Sequence, residues 1–236
     1  MTCILLTGSS RGIGQSARVS LAERGCDVIG HATQPKDAKT IAADFAEPMS
    51  PQFLWQSALD KSGGEIDVLI NNAGLFDANP VDGSDIEWLD NWEETLRINL
   101  TAAAQLSRFA VKHWLDTGRK GRIVHVASRA AHRGDSPAHW HYAAAKGGML
   151  AMHKTIARAY ANQRITSFAV APGFVDTAMA GDYLASRGGA DLLRDIPLGR
   201  VGEPEEIARI IAFCALDAPD SMTGAVIDAN GASYVR

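Results

Sequence analysis

Cysteine is scarce in this chain. The 236 residues include three cysteines, Cys3, Cys26 and Cys214, which lie far apart in the sequence. An odd count without a close pair argues against a disulfide framework and against a zinc site built on cysteine. Each cysteine stands in an apolar stretch, so we expect three small buried side chains.

The chain also lacks an excess of positive charge and any long apolar run. Its formal net charge is −4 at pH 7, whereas nucleic-acid-binding proteins normally carry a basic excess or stripe. No run approaches the ~20 apolar residues that a membrane-spanning helix needs. The N-terminus has neither the basic region nor the apolar stretch of a signal peptide. We therefore expect a cytoplasmic protein that binds neither nucleic acid nor membrane.

What the sequence does have is an ordinary hydrophobic content of 46% and a repeated alternation of short apolar runs with amphipathic stretches. The length suits one α/β domain that spans residues 1–236 and holds both the dinucleotide-binding and the catalytic site. The predicted strands are Cys3–Thr7, Asp27–His31, Thr40–Asp44, Val68–Asn71, Arg122–Ala127, Ile165–Val170 and Gly224–Asp228. The predicted helices cover roughly Gly14–Arg24, Trp92–Leu115, Tyr142–Ala161 and Glu203–Leu216.

This alternation predicts a single Rossmann-type, doubly wound domain. Right-handed β-α-β crossovers would build a seven-stranded, mostly parallel sheet with helices on both faces. In such sheets, ligands bind beyond the carboxyl ends of the strands. Functional residues are therefore expected just after the predicted strands.

The first predicted strand ends in a glycine-rich turn that leads into a helix. Gly8, Gly12 and Gly14 have the spacing G-x-x-x-G-x-G. Glycines let the backbone approach a pyrophosphate closely, and the helix N-terminus offers free N–H groups and the positive end of its dipole. The pattern predicts a dinucleotide site. It differs from the commoner G-x-G-x-x-G fingerprint, so taken alone it leaves open a turn without a ligand.

An acidic residue is missing where NAD-binding proteins place one, at the end of the second strand. The first acid after that strand is Asp37, whereas a carboxylate at the strand end would bind the adenosine ribose of NAD. Arg11, together with Thr33 or Lys36, offers partners for a 2′-phosphate instead. We therefore favour NADP(H) as the cofactor. NAD(H) stays open, because Arg11 and Lys36 would look the same as solvated surface charges.

Ser128 follows a predicted buried strand, and Tyr142 and Lys146 follow on a predicted helix. The last two are four residues apart, so they share one helix face. Free tyrosine has a pKa near ~10, and a neighbouring ammonium group favours the phenolate and lowers that pKa. Ser128 could then bond a carbonyl oxygen while Tyr142 transfers a proton and a nicotinamide supplies hydride. Without the glycine turn, a tyrosine–lysine pair on a helix surface would be the favoured interpretation.

Taken together, these pieces resemble the short-chain dehydrogenase/reductases over almost the whole chain. They stand in that family's order: Thr7-Gly8-x-x-x-Gly12-x-Gly14, Asn71-Asn72-Ala73-Gly74, Asn99, Ser128, Tyr142-x-x-x-Lys146 and Pro172-Gly173. Within the family, the segments Tyr142–Lys146 and Ala171–Thr177 look most like the 3-oxoacyl-[acyl-carrier-protein] reductase branch. The resemblance implies an NAD(P)-dependent oxidoreductase that acts on a ketone or secondary alcohol and forms a homo-oligomer, a tetramer or a dimer.

The resemblance also implies roles for individual residues. Tyr142 would be the general acid/base, Lys146 would lower its pKa and hold the nicotinamide ribose, and Ser128 would orient the carbonyl. Asn99 would help to hold a water that links Lys146 to solvent. The implied cofactor contacts are Gly8, Ser10, Arg11, Gly12, Ile13, Gly14, Thr33, Asp44, Phe45, Asn72, Ala73, Gly74, Tyr142, Lys146, Pro172, Gly173, Val175 and Thr177. No metal is implied.

Two segments that the resemblance places near the substrate differ in what they indicate. The segment 129–141 is one residue longer than usual in the family and contains two arginines and three histidines. It could favour an anionic or polar substrate, or it could be a solvated loop or a subunit contact. A metal site on its histidines is disfavoured, because His139 and His141 stand two residues apart and do not face each other on a helix.

The segment 174–200 is the expected substrate lid, with hinges at Gly181, Gly188 and Gly189.

A second class of function stays open at this stage. A dinucleotide-binding sensor or scaffold could keep the fold and lose catalysis. Such a protein would be free to lose one of Asn99, Ser128, Tyr142 and Lys146, yet all four are present. Epimerisation or dehydration on the same fold is a third alternative. The sequence does not identify the substrate.

Overall fold

The computed structural model describes residues 1–35, 37–177 and 193–236. Its strands form one seven-stranded sheet with the order β3-β2-β1-β4-β5-β6-β7. They are β1 (Cys3–Leu6), β2 (Asp27–Ala32), β3 (Thr40–Ala42), β4 (Val68–Asn71), β5 (Gly121–Val126), β6 (Ile165–Pro172) and β7 (Val226–Ala229). All six pairings between neighbouring strands are parallel. The predicted doubly wound sheet is confirmed, and the described strands contain no antiparallel pair.

The strand order reverses beside β1. From β1 the chain runs outward to β2 and β3, and it then returns to place β4 on the other side of β1. In the register, Leu6 lies opposite Gly30 on one side and Ile70 on the other. A crevice forms at such a switch point, beyond the carboxyl ends of the strands. The glycine turn follows β1 directly, so the fold brings it to this crevice.

The described helices connect these strands. They are α1 (Gly12–Glu23), α2 (Ser50–Ser62), α3 (Asp85–Leu96), α4 (Ala102–Thr117), α5 (Ala130–Arg133), α6 (Trp140–Tyr160) and α7 (Pro204–Ala212). Short π-helical turns at Arg97–Thr101 and Phe213–Asp217 continue α3 and α7, and 3₁₀ turns lie at Ala161–Gln163 and Asp220–Met222. None of the helices described is both long enough and apolar enough to cross a membrane.

Both faces of the sheet are covered by helices. On β1, Leu5 belongs to the core formed with α2 and α4, whereas Ile4 and Leu6 belong to the core formed with α1 and α7. Successive side chains of a strand point to opposite faces, so a strand buried on both faces is apolar throughout. This explains why the predicted strands were continuous apolar runs.

The predicted helix Trp92–Leu115 is confirmed as part of one continuous helical segment, residues 85–117, in which a π-helical turn at Arg97–Thr101 joins α3 to α4. The helical segment also begins earlier, at Asp85, where the hydroxyl of Ser84 accepts a hydrogen bond from the Glu87 N–H at 3.3 Å. Ser84 donates in turn to the Glu87 carboxylate at 2.8 Å. The pattern S-x-x-E is a helix-start signal, and it lies before the predicted helix start at Trp92.

Helix α2 was not predicted. Its second residue is Pro51, which is tolerated because the first turn of a helix has no intrahelical partner for that N–H. Its buried face carries Leu54, Trp55 and Ala58.

The ends of several strands differ from the predicted ones. The predicted Thr40–Asp44 shortens to Thr40–Ala42, and the last strand begins at Val226 rather than Gly224.

Candidate active site

A cavity of about 340 Å³ lies at the carboxyl edge of the sheet, within the size range of small-molecule sites. Every residue predicted to contact the cofactor lines it: Gly8, Ser10, Arg11, Gly12, Ile13, Gly14, Thr33, Asp44, Phe45, Asn72, Ala73, Gly74, Tyr142, Lys146, Pro172, Gly173, Val175 and Thr177. The catalytic candidates Ser128, Tyr142 and Lys146 line the same cavity, whereas Asn99 does not. Arg129, Asp135 and Phe174 also line the cavity and lie in the segments that were expected near the substrate. The sequence did not point to the remaining wall residues, His31, Ala32, Ala43, Leu75, Phe76, Ile98, Val126 and Ala127.

The glycine turn leaves no room for side chains. Gly8 has a φ of +65°, a left-handed conformation that favours glycine. A Cβ on Gly14 would lie 2.0 Å from the Gly8 carbonyl oxygen and 2.6 Å from Nδ2 of Asn72. Nδ2 of Asn72 donates to the carbonyl oxygens of Thr7 at 2.9 Å and Gly8 at 3.1 Å. The turn is thus held in place, and the amides of the first turn of α1, which have no intrahelical partner, stand at the cavity wall.

His31 is a site residue that sequence reasoning missed. It is buried near the end of β2, where Nδ1 accepts from the Gly8 N–H at 3.1 Å and Nε2 bonds the Ala43 carbonyl oxygen at 2.9 Å. Its ring stacks on Phe45, with centroids 4.2 Å apart. Burial lowers the pKa of His31 to about 4, so the ring is neutral at pH 7. The sequence signal for His31 is a polar residue in the largely apolar strand β2. That signal does not identify Gly8 or Ala43 as its partners.

Asp37, the first acid after β2, is held away from the cavity. Its carboxylate accepts two hydrogen bonds from Arg18, at 2.7 and 3.0 Å, and this guanidinium holds the pKa of Asp37 below its usual value. Arg11 and Thr33 line the cavity at this end, whereas Lys36 lies outside the described residues. Among the residues that are described, the cavity wall at the end of β2 therefore carries no carboxylate for an adenosine ribose.

Ser128, Tyr142 and Lys146 meet at the other end of the cavity. Ser128 stands just beyond β5, and its Oγ accepts from the Ala130 N–H at 3.1 Å. Tyr142 and Lys146 stand one turn apart on α6, with Nζ 5.7 Å from the centre of the tyrosine ring. Nζ donates to the carbonyl oxygen of Val126, the last residue of β5, at 2.8 Å. The fold thus brings together the three groups that the sequence separates.

The pKa of Tyr142 lies above its ordinary value in this structure, and its lowering by Lys146 stays a prediction. Burial raises the pKa of Tyr142 to about 12, which outweighs the lowering by the Ser128 hydroxyl, and the charge of Asp135 raises it further. Burial also lowers the pKa of Lys146 to about 8. At pH 7 the tyrosine is therefore protonated and most of the lysine is charged, which are the ionisation states of a proton donor with a cation beside it.

Asn99 lies below the cavity wall, fully buried in the π-helical turn. Its Oδ1 accepts from the Leu75 N–H at 2.8 Å, and its Nδ2 donates to the Leu75 carbonyl oxygen at 2.9 Å. A Cβ on Gly74 would lie 2.7 Å from Oδ1. The side chain therefore fixes the Gly74–Leu75 wall. A role in holding a water beside Lys146 stays a prediction.

The segment after Ser128 makes several side-chain contacts, although part of it is exposed. It contains the one-turn helix α5. The guanidinium of Arg129 lies 4.5 Å from the centre of the Phe174 ring and 3.6 Å from Asp195. Arg133 bonds the same carboxylate at 2.8 Å. Two arginines thus share one acid at the edge of the cavity.

The histidines of this segment support the wall. Nδ1 of His139 bonds Oγ of Ser136 at 2.6 Å, and its ring stacks on Phe76 at 3.9 Å. Phe76 meets the Tyr142 ring edge to face at 4.8 Å. His132 stacks on Tyr234 instead. Across residues 1–35, 37–177 and 193–236, no group of three or more His, Cys, Asp or Glu side chains is placed to hold a metal ion.

The base of the predicted lid is anchored. Gly202 donates to the Phe174 carbonyl oxygen at 2.8 Å and accepts from the Asp176 N–H at 2.8 Å. These bonds tie the two ends of the segment together beside the cavity. The predicted hinges Gly181, Gly188 and Gly189 lie outside the described residues.

Comparisons with known proteins agree with this arrangement. A family model described as enoyl-(acyl carrier protein) reductase matches residues 8–231. The 3-oxoacyl-[acyl-carrier-protein] reductase of Vibrio cholerae is 35% identical over 242 residues, covering 98% of this chain and 96% of the relative. The enzyme of that name from Escherichia coli gives the same identity and the same coverage.

Two solved structures share the whole fold. An Agrobacterium tumefaciens protein provisionally identified as a 2-deoxy-D-gluconate 3-dehydrogenase, with bound NADP, superposes with a TM-score of 0.87 at 28% identity, covering 100% of this chain and 97% of that one. The aldohexose dehydrogenase of Thermoplasma acidophilum gives 0.88 at 24% identity, covering 100% and 94%, and shows the fold alone. The family model and the relatives both span nearly all of the sequence. The chain therefore belongs to the short-chain dehydrogenase/reductases and is an NAD(P)-dependent oxidoreductase that acts on a carbonyl/alcohol pair.

Proposed function

We propose that this protein reduces a ketone to a secondary alcohol with NADPH, and that 3-oxoacyl compounds are the first substrate class to test. The observation that carries the proposal is the meeting of Ser128, Tyr142 and Lys146 at one end of a cavity whose other end is the glycine turn. The curated relatives named above reduce 3-oxoacyl groups. One domain over residues 1–236 would hold both sites.

The wall fits a dinucleotide on steric grounds that are independent of the relatives. The cradle between Gly8, Gly14 and Asn72 would be filled by a single Cβ, and the amides of the first turn of α1 suit a pyrophosphate. Arg11 and Thr33 would hold a 2′-phosphate. The Asp37 carboxylate, which would repel that phosphate, is bonded to Arg18 instead. The cofactor is NADP(H), in keeping with the NADP bound in the Agrobacterium structure.

Proton delivery falls to Tyr142. When bound, the nicotinamide supplies a hydride to the carbonyl carbon, so the carbonyl oxygen gains negative charge. The Tyr142 hydroxyl, which is protonated at neutral pH, donates its proton to that oxygen and becomes a phenolate. The Ser128 hydroxyl donates a hydrogen bond to the same oxygen and stabilises the developing charge.

Lys146 stabilises the phenolate that Tyr142 leaves behind. Its ammonium group lies 5.7 Å from the ring centre in a buried setting, where the attraction between opposite charges is stronger than in water. The Val126 carbonyl oxygen holds Nζ in this position at 2.8 Å. The same ammonium group would also hold the nicotinamide ribose.

We also propose the protein's assembly state, its location in the cell and the size of its substrate. Assembly into a homodimer or homotetramer is proposed from the family, and light scattering that finds only monomer would contradict it. A cytoplasmic location is proposed from the curated bacterial relatives and can be tested by cell fractionation. The substrate is proposed to be a small molecule.

The test is cofactor consumption, with NADPH compared against NADH, over a panel of 3-oxoacyl thioesters, keto sugar acids, simple ketones and quinones. Binding of both cofactors is measured in parallel. Oxidation of NADPH with a member of the panel supports the proposal, and the preferred ketone identifies the substrate class. NADPH binding without turnover on any ketone would favour the silent sensor instead. Faster oxidation of NADH than of NADPH would contradict the cofactor assignment.

A further inference from the structure

His31 joins two walls of the cofactor cavity that are separate in the sequence. Nδ1 accepts from the Gly8 N–H at 3.1 Å, in the glycine turn. Nε2 bonds the Ala43 carbonyl oxygen at 2.9 Å, next to Asp44 and Phe45 at the other wall. The ring stacks on Phe45 at 4.2 Å with an interplanar angle of 15°. One imidazole therefore sets the spacing between both walls.

These contacts fix a single form of the ring. The Gly8 amide can only donate, so Nδ1 must carry a lone pair. The Ala43 carbonyl can only accept, so Nε2 must carry the proton. Only the neutral tautomer with the proton on Nε2 satisfies both partners. A cationic ring would present a proton to the Gly8 N–H.

The His31 backbone holds the next residue of the turn. Its carbonyl oxygen accepts from the Ser9 N–H at 2.9 Å and from the Ser9 hydroxyl at 3.2 Å. Its own N–H donates to Oγ of Ser9 at 3.1 Å. The His31 side chain thus accepts a hydrogen bond from the Gly8 amide, and the His31 carbonyl oxygen accepts one from the Ser9 amide. Phosphate groups would be bound by the amides that follow, from Ser10 to Gly14.

We propose that His31 is a positioning residue for cofactor binding, whose imidazole sets the glycine turn against the Ala43–Phe45 wall so that the later amides of the turn face the cofactor's phosphates. This inference rests on the proposed NADP(H) site. His31 does not contact the reacting atoms, so it should govern the affinity for cofactor and not the chemical step.

Two substitutions separate its two bonds. His31→Asn places an oxygen acceptor near the position of Nδ1 but cannot reach Ala43. His31→Gln places its amide near the position of Nε2 and offers no acceptor to Gly8. A lost hydrogen bond in a buried setting typically changes an equilibrium by up to about tenfold. We expect the Kd for NADPH, from nicotinamide fluorescence, to rise about tenfold in His31→Gln and less than threefold in His31→Asn. The kcat at saturating NADPH and the KM for ketone should stay at wild-type values.

His153 provides the matched control. It is also fully buried, its Nδ1 bonds Oγ of Ser167 at 2.7 Å, and it does not line the cavity. His153→Gln should lower the melting temperature and leave the Kd for NADPH unchanged. If His31→Gln does not fold, Ser9→Ala removes the hydroxyl that forms two hydrogen bonds with the His31 backbone. Loss of these bonds should weaken NADPH binding by up to about tenfold.

The outcomes are distinct. Wild-type affinity in His31→Gln overturns the role of the Gly8 bond. If His153→Gln loses as much affinity for NADPH as His31→Gln, then His31 contributes only to the stability of the fold. That result also overturns the inference. Failure of the wild-type protein to bind NADPH would contradict the proposed function itself, and with it the inference.

Discussion

The two ends of the cavity are built from different kinds of groups. At the glycine turn the contacts join neutral groups, namely backbone amides, the Asn72 carboxamide and the uncharged ring of His31. At the catalytic end, burial shifts the pKa of Tyr142 to about 12 and that of Lys146 to about 8. Apart from the Arg11 guanidinium proposed for the 2′-phosphate, cofactor binding therefore depends on space and hydrogen-bond geometry, whereas the reaction depends on charge. Substitutions at the two ends should separate affinity from rate.

After that of Tyr142→Phe, which removes the proposed proton donor, the largest effect is expected from Ser128→Ala, also at the catalytic end. Loss of one preorganised donor to a developing oxyanion commonly lowers kcat by roughly 10²–10³-fold. The Kd for NADPH should stay near the wild-type value, because Ser128 lies beyond the glycine turn. Steady-state kinetics and fluorescence titration measure the two quantities. Ser107→Ala is the control, since Ser107 is buried and bonds Ala103 away from the cavity. A similar loss of kcat in the control would remove the contrast between the two ends.

Gly14→Ala should give the opposite signature. The new Cβ would lie 2.0 Å from the Gly8 carbonyl oxygen, and overpacking of this kind typically costs roughly 1–3 kcal/mol of folding free energy. We expect a lower melting temperature and weaker NADPH binding. In Gly147→Ala the Cβ would meet only the Ala131 carbonyl oxygen, at 3.7 Å, within α6. That variant should be more stable by roughly 0.5–1 kcal/mol. Unchanged NADPH affinity in Gly14→Ala would show that the turn is not the binding surface.

The pH dependence sharpens the comparison at the catalytic end. Burial lowers the pKa of Lys146 to about 8, so its positive charge is present below that pH and is lost above it. Tyr142, with its pKa near 12, keeps its proton throughout this range. The kcat for ketone reduction should therefore be flat below pH 8 and fall about tenfold per unit above it.

Lys146→Arg distinguishes this cause from others, because a guanidinium stays charged throughout the range. Whatever rate remains in that variant should show no fall near pH 8. A fall that persists at the same pH would assign the titration to another group.

The smallest effect is expected at Arg11. Arg11→Ala should weaken NADPH binding by about tenfold, because a charge-assisted hydrogen bond to the 2′-phosphate is lost at an exposed site. NADH affinity should not change, since NADH lacks that phosphate. Arg24→Ala is the control, because Arg24 pairs with Asp217 away from the cavity. Equal weakening of NADH and NADPH would contradict the assignment of Arg11 to the 2′-phosphate.

The sequence predicted those features that rest on local pattern. Each of the seven strands is present, and β4 has the predicted bounds Val68–Asn71. The glycine spacing and the Tyr142–Lys146 spacing placed both ends of the cavity, because backbone geometry fixes what lies near a turn or along one helix face. The bounds of α3 were missed, although the signal at Ser84 was local and readable.

The features that the sequence could not show depend on partners distant along the chain. His31 bonds Gly8 and Ala43, and nothing in the pattern of β2 names them. The i, i+4 spacing placed Lys146 beside Tyr142, yet it could not show that burial outweighs the Ser128 hydrogen bond in setting the pKa of Tyr142. Nor does the sequence around Asn99 show that its carboxamide is bonded to the backbone of Leu75. Burial and side-chain pairing are set by packing of the whole chain.

Tyr142→Phe tests the central claim most directly, because it removes the proposed proton donor and leaves the ring packed against Phe76. NADPH affinity and single-turnover oxidation of NADPH by the preferred ketone would be measured on the same sample. We predict a Kd close to that of the wild-type protein and a rate lower by roughly 10²–10⁴-fold, the usual contribution of general acid catalysis. A variant that binds NADPH and still oxidises it at a rate near that of the wild-type protein would contradict the account.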